Sequence, residues 1–482
     1  MPVPTLSEPD TIWCREYRKA TIALFSLGFM VAYSFTAVTT VMPRAAEELH
    51  GLPLYGLSFA VTMATSVVAM AFSAPWIDRI GPGIPLMTGT GVYALGLLLA
   101  AAAPTMEWLV AARAVQGIGD GLDGVALYVV IARVFPAAIR PKMFAALAAA
   151  WVLPSIIGPA LSGAVTDQFG WRWVFLTVPV IAIGAVMLLR AGTRGIRLSA
   201  PAVPAATAAP TAPAAPAEGS EADERAAEST GPNRAGVWQR PLWALAAAAA
   251  VLLLGDASQR AQPWWPAELA LAVVVLVLSV PKLLPHRTWR AARGLPSLVL
   301  MRALIGTAFT LGDVYLPLLM IQQRGMPAWL AGLSLTVGGI TWSTGSWLAG
   351  RSVLAPRLRL QLGAGMLVLG VLISSLVVLP ALPVWIAWLG WCFSGFGIGL
   401  AYPTVSVLVL ELSPLAEQGR NSSALQLNET LTTSAVLGVA GAAFAALLGT
   451  GGLGFTVPFG LAVLLAACAL GVSRRATAGT PA

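Results

Sequence analysis

The chain is 482 residues long, 57% hydrophobic and only 10% charged, where soluble domains carry about a quarter charged residues. A net charge of +8 would suit nucleic acid, but the arginines flank long apolar runs instead of forming one basic surface, so no nucleic-acid partner is expected. Those runs exclude a soluble enzyme, and no alternating strand pattern supports a β-barrel.

Apolar segments at 20–43, 54–77, 84–103, 107–134, 143–166 and 173–190 read as six spans, each long enough for a hydrocarbon core of about 30 Å. The first is too long for a signal-peptide core and is expected to stay as an uncleaved span. With the N-terminus inside, Arg15, Arg18, Lys19, Arg79, Arg133, Arg140, Lys142, Arg190, Arg194 and Arg197 all fall on the cytoplasmic side. Arg44 and Arg172 fall outside, which satisfies the positive-inside rule.

Span four carries the most informative residue. Arg113 stands in an apolar stretch and is followed by Gln116, Asp120 and Asp123, interleaved with Gly117, Gly119, Gly121 and Gly124. At 3.6 residues per turn these four polar residues fall near one stripe. A charge at membrane depth is expensive and marks a functional site by default. Burial and the neighbouring guanidinium act on the two carboxyl groups in opposite directions, which suits proton exchange. The competing reading is a structural arginine tied to backbone carbonyls, with acids that serve packing. In span five, Gly158 and Pro159 set a bend that lets bundles rock.

Residues 191–238, Ala/Pro-rich then acidic at 199–236, read as a disordered cytoplasmic linker after an N-terminal six-helix bundle at 1–190. Replacing 199–236 by a flexible linker of similar reach is expected to preserve activity, checked by transport in the intact membrane. Two shorter apolar runs, 241–256 and 267–284, flank a turn with Trp264 and Trp265 and read as a two-span insert within 239–290. A cytoplasm-facing hairpin is the alternative, because either leaves the chain on the same side. Spans at 297–321, 328–350, 361–380, 384–411, 422–448 and 453–473 complete a C-terminal bundle, 291–482, with both termini cytoplasmic. The fold class is therefore an all-α polytopic membrane protein of two six-helix bundles, fourteen spans with the insert or twelve without it.

The halves show a weak internal repeat. Gly117-Ile-Gly119-Asp120-Gly121 matches Gly395-Phe-Gly397-Ile398-Gly399, with Trp391 near the place of Arg113. Repeats of this kind place a transport site at the interface between halves. Further candidates are Asp313, an acid in span seven beside Gly312 and near Pro317, and Asn428 and Glu429 in span eleven. Asp313 reads equally as the hydrogen-bonded partner of a hydroxyl on a neighbouring helix, and Glu429 as a gating or snorkelling residue. Tyr33, Trp151, Tyr315, Trp342, Trp391 and Tyr402 are candidate cavity aromatics, set against a belt or core reading for each. Cys14, Cys392 and Cys468 are scattered, and the sequence has no metal cluster, phosphate loop or nucleophile–base pair, so no metal, cofactor or catalytic residue is expected.

These motifs resemble those of a major facilitator superfamily transporter, specifically the drug:proton antiporter families. Ala74-Pro-Trp-Ile-Asp78-Arg79-Ile-Gly81 is similar to the cytoplasmic loop signature between spans two and three, with Ala74 in place of a glycine and Pro82 and Gly83 in place of a basic pair. Arg113, Gln116, Gly117 and Gly119 match the fourth-span motif that the family associates with proton coupling. Gly158-Pro159-Ala-Leu-Ser162-Gly163 resembles the exporter signature, and Trp171-Arg172-Trp173-Val-Phe175 the opening of span six. The insert points to the fourteen-span branch, whose span-one acid is replaced here by Ser34, with Thr36 kept.

The resemblance implies a monomer in a bacterial inner membrane, exporting small hydrophobic or amphipathic compounds in exchange for protons by alternating access. Proton coupling would fall to Arg113, Asp120, Asp123 and Asp313. Substrate contact would fall to Tyr33, Thr36, Gln116, Asn428, Glu429 and the aromatics. Conformational roles would fall to Asp78, Arg79, Gly81, Gly158 and Pro159. The partners are then substrate, protons and lipid. The alternatives are proton-linked uptake or lipid/metabolite transport on the same fold, and, from another class, a non-transporting scaffold or sensor.

Overall fold

The computed structural model describes residues 11–136, 139–192, 239–257, 265–283, 288–351, 354–413, 418–449 and 452–476. The expected linker, Ser258 to Trp264 of the insert turn, and His286 and Arg287 lie outside the described residues. The described residues form fourteen α-helices and no strands. The first half comprises α1 (Arg18–Glu48), α2 (Tyr55–Ile80), α3 (Gly83–Ala101), α4 (Met106–Val134), α5 (Arg140–Phe169) and α6 (Trp171–Gly192). Then come α7 (Gln239–Ala257) and α8 (Trp265–Leu283). The second half comprises α9 (Leu295–Arg324), α10 (Ala328–Arg351), α11 (Pro356–Ser375), α12 (Trp385–Glu411), α13 (Gln418–Ala446) and α14 (Leu453–Ala476).

Eleven of these are long and apolar enough to cross a membrane: all six of the first half and five of the second. The exception is α10, whose sequence is diluted by Ser334, Thr336, Thr341, Ser343 and Thr344. The pair α7 and α8 pack on each other. Each has 19 residues, about 28 Å at 1.5 Å per residue. Both carry exposed apolar side chains, Leu242, Leu245 and Leu252 on α7 and Leu271, Val274, Val277 and Leu278 on α8, a surface suited to lipid. Their apolar cores, Leu242–Leu253 and Ala270–Ser279, are short. A cysteine at Ser258, with Cys14, Cys392 and Cys468 replaced, is expected to react with an impermeant thiol reagent added to intact cells. Labelling only after permeabilisation would reduce the count to twelve spans.

The repeat legible in the sequence is also a repeat of contacts. Any Cβ added at Gly117 would strike Thr62 and Thr65 of α2, and one at Gly121 would strike Ser66. Gly119 lies as tightly against Gly89 and Tyr93 of α3. In the second half Gly395 meets Gly338 and Thr341 of α10, Gly399 meets Trp342, and Gly397 meets Gly363 and Leu367 of α11. Alternating glycines thus let one helix approach two neighbours at backbone distance, the packing mode that replaces the hydrophobic effect within lipid.

The two halves meet away from the arginine-rich end. Tyr55 Oη donates to the Val314 carbonyl (2.6 Å), and Ser434 Oγ to the Ala60 carbonyl (2.8 Å). Asp167 accepts from the backbone N–H groups of Ala328 (3.3 Å) and Trp329 (3.1 Å), capping the start of α10 from the other half. Gly56 abuts Gly441, and Gly163 abuts Trp329. Each of these positions belongs to the half of its helix remote from Arg79, Arg140, Arg351 and Arg420.

The bend in α5 shapes this seam. Pro159 cannot donate to the Ser155 carbonyl, and Gly339 of α10 packs against that carbonyl; Gly332 packs against the carbonyl of Pro159 itself. Pro154 also lies inside α5, and its carbonyl faces Thr36 Oγ1 of α1 at 3.5 Å. The opening of α6 is fixed to α1: Trp171 Nε1 and Arg172 Nη1 both donate to Glu48, at 2.9 and 2.5 Å. That contact accounts for the tryptophan–arginine pair in the sequence.

Candidate functional site

Arg113 is 5% exposed, two turns in from the start of α4. Its Nη1 donates to Gln116 Oε1, its Nε to the Ser58 carbonyl (3.4 Å), and its guanidinium lies 5.7 Å from the Phe59 ring centre. Gln116 Nε2 donates in turn to Ser34 Oγ on α1 (3.1 Å). A chain therefore runs α2–Arg113–Gln116–Ser34.

The expectation that Arg113 confronts both acids is corrected. Asp120 accepts from Ser66 Oγ of α2 (2.8 Å), and Asp123 from Thr90 Oγ1 of α3 (3.0 and 3.2 Å). Neither carboxylate lies within ion-pairing distance of Arg113 among the described residues. The cause is helix geometry: Asp120 shares the face of Arg113 but lies about 10 Å further along the helix, and Asp123 lies beyond it and about 60° round toward α3. Asp120 is partly exposed, whereas Asp123 is 4% exposed and closed in by Gly89.

Asp313 is also buried, on α9 next to the residues that Tyr55 and Tyr315 occupy at the seam. No hydrogen bond or ion pair joins it to another described residue.

The second half contains a charged site that the sequence reading missed. Arg302 of α9 pairs with Glu429 of α13, Nε to Oε2 3.0 Å, with side chains 11% and 16% exposed. Arg302 Nη1 donates to Ser406 Oγ (2.6 Å), and its guanidinium lies flat over Tyr402, 3.4 Å from the ring centre. Tyr402 Oη donates to both carboxylate oxygens of Glu429 (2.7 and 2.8 Å). Aromatic rings continue outward: Trp342 meets Tyr402 edge-on at 5.7 Å, and Phe309 meets Trp342 at 5.2 Å. The signal was present, since Arg302 is an arginine inside an apolar span by the same test that singled out Arg113.

The other candidates divide. Tyr33 is mostly buried and stacks on Phe29 (6.1 Å), and Thr36 bonds back to the Ala32 and Tyr33 carbonyls. Trp151 is exposed on α5. Three residues expected in a cavity are packed instead. Trp391 is fully buried, stacked on Phe309 at 4.9 Å and seated against Gly312 and Gly338, because a tryptophan fills the volume where the first half keeps Arg113. Tyr315 is fully buried against Tyr55, Phe444 and Gly56. Asn428 is 1% exposed and donates to the Val299 carbonyl (2.9 Å), tying α13 to α9. Asp78 and Arg79 are exposed at the end of α2 and form no ion pair with a described residue, and Gly81 takes the left-handed φ of +83° that ends the helix.

Two six-helix halves, glycine-packed, closed against each other at one end and holding charges at depth, define a polytopic transporter fold. The profile of the Major Facilitator Superfamily matches residues 24–437, and the chain belongs to that family. Among curated proteins it is 27% identical over 192 residues to the multidrug transporter protein MdtP of Bacillus subtilis, covering 39% of this chain and 36% of that one. It is 32% identical over 168 residues to the putative multidrug resistance protein MdtD of Klebsiella pneumoniae (33% and 35% covered). It is 28% identical over 178 residues to the efflux pump roqT of Penicillium rubens (35% and 32% covered). The chain thus spans about a third of the length of these relatives. Among solved structures it resembles a D-xylose–proton symporter (TM-score 0.64, 15% identity, 94% of this chain and 97% of that one). It also resembles a POT family transporter in complex with 5-aminolevulinic acid (TM-score 0.66, 14% identity, 95% of each chain). At that identity the likeness concerns the fold.

Proposed function

We infer that the chain exports small amphipathic compounds across a bacterial inner membrane in exchange for protons, by rocking of its halves about a midplane site. The observation that carries this reading is a set of three carboxyl groups at membrane depth, Asp120, Asp123 and Asp313, none with a cationic partner within ion-pairing distance. A scaffold has no reason to bear that cost, and an unpaired carboxyl group can travel with or without a proton. The Arg302–Glu429 pair is by contrast already compensated. With the arginine-rich end taken as cytoplasmic, both termini lie inside, the seam is closed outside, and the arrangement faces inward to load substrate. Relatives named as a multidrug transporter and an efflux pump favour export of drug-like compounds. The site lies within one chain, so a monomer suffices.

Asp120, partly exposed and nearest the Arg113 network, is the coupling acid of this reading. Everted vesicles test it. Asp120→Asn is expected to abolish substrate-induced proton release and the dependence of efflux on the pH gradient, while downhill exchange continues. Asp123→Asn, whose amide still accepts from Thr90, is expected to retain coupling. Asp313→Asn is expected to slow exchange on the outer side only. Normal proton release and efflux in all three variants would overturn the assignment.

A further inference from the structure

Among the described charged groups at depth, Arg302 combines unused hydrogen-bond donors with an aromatic ring stacked beneath them. A guanidinium has five N–H donors and no acceptor. Arg302 commits Nε to Glu429 and one Nη1 donor to Ser406. Its Nη2 bonds to no described residue, and it is not among the sealed polar atoms of the interior. Glu429 is held on both oxygens: it accepts one bond from Arg302, and its two oxygens share the single hydroxyl proton of Tyr402. The guanidinium therefore presents unused donors to the space beside the pair. Tyr128 of α4 in the first half, 52% exposed, lies within electrostatic range of Arg302, so that space separates the halves rather than sitting inside one bundle. The Tyr402 ring lies against the guanidinium, and the Trp342 ring meets Tyr402 edge-on.

We propose that Arg302 is the substrate-recognising residue of the second half and that it selects aromatic compounds bearing a carboxylate or a similar planar anion. This rests on reading the chain as a transporter of small amphipathic compounds. It narrows that class to acidic members. The guanidinium fork matches a carboxylate in plane. Tyr402 holds the fork by stacking against its face, while Glu429 fixes its orientation from Nε. The Trp342 ring meets the apolar body of the ligand. Arg302 and Glu429 sit on α9 and α13, both in the second half, so the site stays assembled as the halves rock.

The test is direct binding to the purified full-length protein in nanodiscs, with no pH gradient, using naphthoate and its methyl ester. The two probes share a ring system and differ in charge. Trp fluorescence or calorimetry is expected to show naphthoate bound at least tenfold more tightly than the ester, with the preference gone in Arg302→Gln/Glu429→Gln, which keeps the site neutral. Glu429→Gln alone is expected to tighten naphthoate, because it removes the competing anion and leaves the arginine. Equal affinity for acid and ester in the unaltered protein, no binding of naphthoate, or a preference that survives the double substitution would each overturn the proposal. A protein that binds naphthoate in this way yet releases no protons on transport would instead sink the antiport reading and leave this site standing.

Discussion

Arg113→Ala is expected to abolish concentrative efflux while leaving the protein in the membrane, a loss of roughly a hundredfold in initial rate for a charge interaction of about 3 kcal/mol in a partly screened interior. The guanidinium links α2 to α1 through Gln116 and Ser34 and supplies the positive charge nearest Asp120 in this half. Its effect on stability is expected to have the other sign. A buried cation without a carboxylate partner within 4 Å is costly to keep, so the alanine variant should unfold in detergent no earlier than the unaltered protein. Arg113→Lys keeps the charge but not the fork, and is expected to recover only part of the activity because one ammonium cannot reach Gln116 and Ser58 with the same geometry. A variant that both unfolds early and still couples would contradict the argument on both counts.

Gly163→Trp should stop transport by a different route. The Cβ position of Gly163 already coincides with the backbone of Trp329 and Ala328, and no flexible side chain is there to move aside. Overpacking of this kind costs about 1–3 kcal/mol, enough to shift a two-state balance roughly tenfold to a hundredfold away from the closed seam. The expected signature is not loss of protein but a change of accessibility. A cysteine at Thr40, buried beside Gly332 at the same seam, should react with an external impermeant reagent far faster in the Gly163→Trp background. Asp167→Ala, which removes only the cap on α10, should produce the same shift at a smaller size, about 1 kcal/mol. Unchanged labelling in both would mean that this seam is not a gate.

The span pattern was legible because a bilayer imposes a single length scale on every helix, and the arginines flanking each run then orient them. The glycines of spans four and ten were legible as a repeat, and the structure supplies their reason in matched contacts with two neighbours each. What the sequence could not show is direction around the helix. Asp120 and Asp123 look like companions of Arg113 at the level of spacing, yet Ser66 and Thr90 on different helices divide them. Trp391 and Tyr315 looked like cavity aromatics because an isolated span does not reveal which side faces a partner. Arg302 was the reverse case: a charge in plain view whose meaning depends on Glu429, 127 residues away.

The insert leaves the two sides of the molecule unequal. Helix α7 lies across the line where α2 of one half meets α13 of the other, with Ala244 and Ala247 packed beside Val67 and Leu431, and Trp243 at its edge. Under the proposed rocking, a segment that touches both halves must either travel with one of them or let one slip past it. Its contact face is built from alanines, which offer a shallow surface without the long side chains that interlock neighbouring helices. If the halves rock as proposed, that composition would give the sliding partner a smooth track and cover the crevice that opens there. On the far side, where α5 meets α10, no described helix plays that part, and Trp151 and Ile340 are exposed there; under the proposed export of amphipathic compounds, this open side, and not the one beside α7, would admit a compound from the bilayer.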